Sequence, residues 1–309
     1  MTNKALKDSA MIAVKDCMKV VKGEHFLVVT DPELMEIGSA LFEAGLSLGA
    51  VTALMEITPL TRNGEEPPEM VSIAMTRAQA VLAPTSKSLT HTAARRNACA
   101  AGARVGTMPG ITIDTMARCL NADYYAIADR TMKITDLLTA AKVARITTAA
   151  GTDITMPLEG IKAIASTGLV HEAGSFGNLP SGEAYMMPVE GGSEGVFVVD
   201  GSMAGIGTLE GKPPIRIVVE GGYATKITGG PEADRLKAML EPLGRAAFNA
   251  SARFQAEGNG DREAHRPGDA VDQVRFVEPL PDRFQGSPAE QGMAADDAGL
   301  PHPASAASA

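Results

Sequence analysis

The chain has 309 residues, 45% of them hydrophobic and 21% charged, and a formal net charge of −9, values ordinary for a globular protein with a sizeable core. That acidic balance, with no local run of Lys or Arg, leaves no electrostatic footprint for nucleic acid, and the absence of Trp with only 4% aromatics argues against a base- or sugar-stacking surface. No apolar run approaches the roughly 18 residues that span a bilayer, so no membrane partner is expected.

The N-terminal stretch carries Lys7, Asp8, Lys15 and Asp16, unlike a secretory h-region. Cys17, Cys99 and Cys119 are odd in number and show no CxxC spacing, so they read as reduced, buried thiols of a cytoplasmic protein. Residues 4–21 place Ala10, Ala13, Cys17 and Val20 largely on one face at helical spacing, which predicts a helix stopped by Gly23. Phe26 to Thr30 is a short apolar run suited to a buried parallel strand. Asp31-Pro32 then signals a helix start, with Asp as N-cap and Pro at the first helical position. That helix runs to about Ala44. Further strands are expected at 51–57, 80–83 and 103–106, with a helix over 88–101 between the last two. This alternation predicts an α/β domain over 1–145, an open, mostly parallel sheet with helices on both faces.

A long helical pattern from 123 to 144, bent near Ile134, closes that domain. Residues 146–249 then change character. Short strands are expected at 146–149, 153–157, 194–200, 215–220 and 223–228, with Gly221-Gly222 as a hairpin turn and a helix over 234–240. The second domain therefore reads as β-rich α+β. Residues 250–309 hold no Ile or Lys and only eight of Ile, Leu, Val and Phe together, the composition of a low-complexity, poorly ordered tail.

The most informative stretch is Gly174-Ser175-Phe176-Gly177-Asn178-Leu179-Pro180-Ser181-Gly182-Glu183. Its glycines and proline make a tight loop from which a strand departs, and a glutamate at that junction can project into a cleft as a metal ligand or general base. Taken alone, one Glu beside glycines is more often a solvated loop residue. His171 and Glu172 lie close enough in sequence to add ligands, although the spacing fits no compact zinc signature and a lone His is more often a loop or surface residue. Gly201 to Gly207 is spaced like a phosphate loop but lacks its Lys-Ser/Thr, so it reads as a turn. His91 and Cys99 fall on one predicted helix, whereas a catalytic Cys–His pair usually comes from different elements.

The Gly174 to Glu183 motif, followed by Glu190-Gly191-Gly192-Ser193-Glu194-Gly195 and by Val199-Asp200-Gly201-Ser202-Met203-Ala204-Gly205-Ile206-Gly207, resembles the M29 metallopeptidases, the aminopeptidase T-like proteins. The resemblance continues through Glu232-Ala233 and Leu243-Gly244 and covers about residues 1–249. It implies that Glu183 is a metal ligand. It also implies two divalent ions (zinc, cobalt or magnesium), short peptides as substrates trimmed from their N-termini, and a cytoplasmic homodimer. In that chemistry the two metals activate a water and polarise the scissile carbonyl. A relative branch of the same superfamily opens a dihydroxypyridine ring with one non-haem iron, which needs a two-His-one-carboxylate set. The family's later ligands have no counterpart here. After Asn249 the only histidines are His265 and His302, and nothing selects Glu257 or Glu263. The tail thus reads as divergence or as a shifted reading frame, and a catalytically dead, metal-free scaffold is the third reading.

Overall fold

A computed structural model of the protein describes residues 3–203 and 205–249, together with strands over 254–257 and 273–277. The first half runs α1 (Asn3–Met11), β1 (His25–Thr30), α2 (Met35–Ser47), β2 (Val51–Glu56), α3 (Glu69–Arg77), β3 (Ala80–Ala83), α4 (Ala93–Ala100), β4 (Arg104–Thr107), α5 (Ile113–Cys119) and α6 (Tyr124–Ala140). There follow β5 (Val143–Thr147), β6 (Asp153–Pro157), β7 (Ile164–Ser166), β8 (Phe176–Asn178), β9 (Glu183–Met186) and β10 (Glu194–Val199). The remaining elements are β11 (Ser202–Met203), β12 (Gly207–Thr208), β13 (Ile215–Glu220), β14 (Tyr223–Thr228), α7 (Pro231–Leu240), β15 (Phe254–Glu257) and β16 (Gln273–Val277).

The first sheet has the order β2-β1-β3-β4-β8, with every neighbouring pair parallel. Helices cover both faces, so successive residues of β1 enter opposite cores. Phe26 and Val28 join Leu41 and Leu82 on one side, while Leu27 and Val29 join Val81, Met75 and Val105 on the other. A strand buried on both faces has no polar alternation, which is why this one reads as a continuous apolar run. The second sheet is antiparallel, β14-β13-β10-β6-β5-β16. Its β13–β14 hairpin turns on Gly221 and Gly222 at φ +56° and +75°, the left-handed pair that a two-residue turn needs. Helix α7 begins with Pro231 and buries Ala233 and Leu236 against Ile215, Ile217 and Ile227. A third, three-stranded sheet is β15-β9-β7. The α/β fold class, a parallel sheet followed by a β-rich part, is as the sequence predicts.

Several elements differ from the sequence expectation. The first α-helix ends at Met11 and continues to Cys17 as a π-helix, where Met18 N–H donates to Ala13 O. The wider turn carries Ala13, Val14, Cys17 and Met18 all into the core. The helix expected over 88–101 starts only at Ala93, because Thr92 Oγ1 caps it by accepting Arg95 N–H at 3.2 Å. Helix α6 is unbroken at Ile134. It is capped by Asp123 and stops at Ala140, so that Val143 begins a strand rather than extending a helix. Helices α3 and α5 and strands β7 and β8 carry weak periodicity and were not expected. The expectation for the tail falls, apart from the backbone of β15 and β16, outside the described residues.

Candidate functional site

In a parallel sheet whose strand order reverses between β1 and β3, the chain leaves a crevice outside the carboxyl ends of those strands. Polar residues gather at these ends here. Asp31 follows β1 in the extended conformation expected of an N-cap, with Pro32 next, but its carboxylate caps nothing. Instead Asp31 Oδ2 accepts Ser86 N–H at 2.6 Å from the loop after β3, and the side chain is 1% exposed. Its other oxygen is buried with no partner among the described residues. Beside it, Glu33, Leu34, Glu36 and Ile37 after β1, with Gly110 to Ile113 after β4, line a groove of about 260 Å³.

The conspicuous Gly174–Glu183 stretch completes this end of the sheet. Gly174 sits at φ +76°, and a Cβ there would lie 2.8 Å from Cys99 O, so glycine alone lets the chain pass α4. Phe176, the first residue of β8, lies under the Arg95 guanidinium, 4.5 Å from ring centroid to Cζ. Asn178, the last residue of β8, is exposed, and its Oδ1 accepts Thr107 Oγ1–H at 2.6 Å and Thr90 Oγ1–H at 3.2 Å. The two threonine hydroxyls are 2.9 Å apart, and both residues are buried. Leu179 N–H then donates to Thr107 O at 2.9 Å, which ends the pairing with β4. The Leu179–Pro180 bond is cis. Ser181 ties the turn to β7 through its hydroxyl, 2.7 Å from Ser166 Oγ and 2.9 Å from Ser166 O.

Glu183 opens β9 and is half-buried. Ala184 and Met186 face the second core, so the period of two puts Glu183 and Tyr185 on the opposite face. The register partners of Glu183 are Ser166 on β7 and, by backbone position, Glu257 on β15. His171 lies elsewhere, its Nε2 2.7 Å from Asp16 O and its ring tilted against Tyr125, while Glu172 is exposed. Among the described residues, no group of three or more His, Cys, Asp or Glu side chains could hold a metal ion. The donors among the described residues therefore make up neither a two-His-one-carboxylate iron set nor a shared two-metal set. His265 and His302 lie outside the described residues.

The remaining motifs are structural. Gly201 to Gly207 holds the β11–β12 pairing and no helix follows it. Cys99 donates to Ser175 O at 3.7 Å, and burial raises its thiol despite the opposing hydrogen bond and charge of Arg95. Thr90, in the turn before α4, and Thr107, at the end of β4, carry no sequence pattern of their own.

A family model described as NicX, 2,5-dihydroxypyridine 5,6-dioxygenase, matches residues 13–251. The chain belongs to that family. It is similar in structure to the 2,5-dihydroxypyridine dioxygenase of Pseudomonas putida KT2440, with TM-score 0.67, 20% identity, 81% of this chain covered and 75% of that one. It is also similar to wild-type AmpT of Thermus thermophilus, with TM-score 0.56, 16% identity, 80% of this chain covered and 76% of that one. These two likenesses show a shared fold. No sequence among the curated proteins matches it. No helix among the described residues is long and apolar enough to cross a membrane.

Proposed function

We propose that this chain acts on a small hydroxylated N-heteroaromatic ring of the dihydroxypyridine type, bound at the carboxyl end of the parallel sheet. The observation that carries this reading is the family match over residues 13–251, which includes Asp31, Thr90, Thr107, Asn178 and Glu183. In this reading Glu183 serves as one ligand of an iron ion, the role that the Gly174–Glu183 motif implies for it. The second reading is an aminopeptidase working on short peptides with zinc, cobalt or magnesium as a cytoplasmic homodimer. The Gly174–Glu183 motif and the likeness to AmpT support it.

The test is a pair of assays on the full chain. In the first, protein loaded anaerobically with iron(II) meets 2,5-dihydroxypyridine and oxygen, and both oxygen uptake and loss of the ring's ultraviolet band are followed. In the second, zinc- or cobalt-loaded protein meets leucine p-nitroanilide. Oxygen uptake matched to ring loss supports the dioxygenase reading. Release of nitroaniline without oxygen uptake overturns it in favour of the peptidase. Ring binding without turnover keeps the ligand class and rejects catalysis by this chain.

A further inference from the structure

We infer that Asn178 is a substrate-binding residue whose side-chain amide, aimed by Thr107 and Thr90, donates a hydrogen bond to an oxygen substituent of the ring. The inference rests on the heteroaromatic-ligand reading above and adds to it a recognition group on a different strand from Glu183.

The orientation of the amide follows from the distances. Thr107 Oγ1 lies 2.6 Å from Asn178 Oδ1, a separation typical of O–H···O and short for N–H···O. The carboxamide oxygen therefore faces the threonines, and the NH₂ group faces away from them. Thr107 is fully buried and Thr90 is 8% exposed, so neither hydroxyl turns to water for a partner. Thr90 is itself fixed, because Arg95 Nε donates to Thr90 O at 2.9 Å while the same guanidinium covers Phe176. The ring of contacts Arg95–Thr90–Thr107–Asn178–Phe176 closes on itself through β8. Asn178 is exposed, and its Nδ2 has no protein partner among the described residues.

An amide locked on its oxygen side and left open on its nitrogen side is a preorganised donor. It stands at the carboxyl end of the sheet, where open α/β sheets bind their ligands. A hydroxyl, oxo or deprotonated oxygen on a pyridine ring is the matching acceptor. Asn178 touches substrate in this scheme, whereas Thr107 and Thr90 act through it as positioning residues.

The test is anaerobic calorimetric titration of the full chain with 2,5-dihydroxypyridine. Wild type is compared with Asn178→Asp, Thr107→Val and Thr107→Ser, and each is checked for an unchanged melting temperature. Asn178→Asp replaces the donor with a carboxylate of the same shape, and about tenfold or greater weakening is expected. Thr107→Val removes the hydroxyl at constant volume and is expected to weaken binding several-fold, while Thr107→Ser restores it, a rescue that a purely structural role would not give. Wild-type binding with Asn178→Asp equally tight overturns this inference alone. Rescue failing in Thr107→Ser while Asn178→Asp binds weakly overturns the positioning part. No binding by the wild type overturns the ligand reading and this inference together.

Discussion

Arg104 grips Glu24 with two prongs. Nη2 lies 2.8 Å from Oε2 and Nη1 lies 3.1 Å from Oε1, with the two side chains only 11% and 19% exposed. The same guanidinium donates through Nε to Met18 O at 3.0 Å, so one residue at the start of β4 holds the chain between the π-turn and β1. Glu24→Ala removes the anion and leaves a mostly buried cation. The expected cost is about 2 kcal/mol, seen as a lower urea midpoint with unchanged slope.

The same pair makes stability depend on pH. Burial raises the Glu24 carboxyl, but the Arg104 hydrogen bonds, the Val21 N–H and the Arg104 charge together outweigh it and hold the group below its ordinary value. A depressed folded-state value means that the contribution is fully present above the unfolded carboxylate range and is lost as pH falls through the folded value. Urea midpoints measured from pH 7 down to pH 3 should therefore fall more steeply for wild type than for Glu24→Gln. Parallel curves would remove Glu24 from the account.

Cys17 is fully buried beside Met18 and Tyr124, and burial first, then the Asp16 charge, pushes its thiol far up. A thiol that does not ionise does not react. At pH 8 a disulfide reagent should leave Cys17 unmodified in the native protein and reach it only in denaturant. Mass mapping of the labelled peptides reads this directly, and rapid native labelling of Cys17 would show that the first helix opens.

Gly195 lies on β10 opposite Ile154 at φ +130°, and a Cβ there would collide with Asp153 O and crowd Ile154 Cα. Both obstacles are backbone in a paired strand, so no side chain can move aside. Gly195→Ala should cost about 2–3 kcal/mol, whereas Gly64→Ala, at φ +77° with open space around its Cβ, should cost less. Thermal melts of the two variants check the difference.

Metal content separates the readings of Glu183. Mass spectrometry of the purified full chain should find metal in wild type and less in Glu183→Ala if Glu183 is a ligand. Equal content in both would remove Glu183 from any metal site, whatever the rest of the set.

Much of this architecture is local and could be read before the fold was known. The apolar run at Phe26 to Val29 announces a doubly covered strand, Gly221-Gly222 a two-residue turn, and residues 234–240 a helix, which in the structure begins three residues earlier at Pro231. These signals survive because backbone conformation and short-range periodicity cause them. The Gly174–Glu183 motif was equally visible, and it lies within the family match over residues 13–251. What the residues there do was not visible. Asp31 looks like a helix cap until the loop after β3 brings the Ser86 amide to it. Asn178 looks like a loop residue until Phe176–Asn178 pairs with β4 and sets its oxygen against Thr107, 71 positions away in sequence. A hydrogen bond of that span has no local signature, because only the packing of one strand beside another decides which polar groups meet.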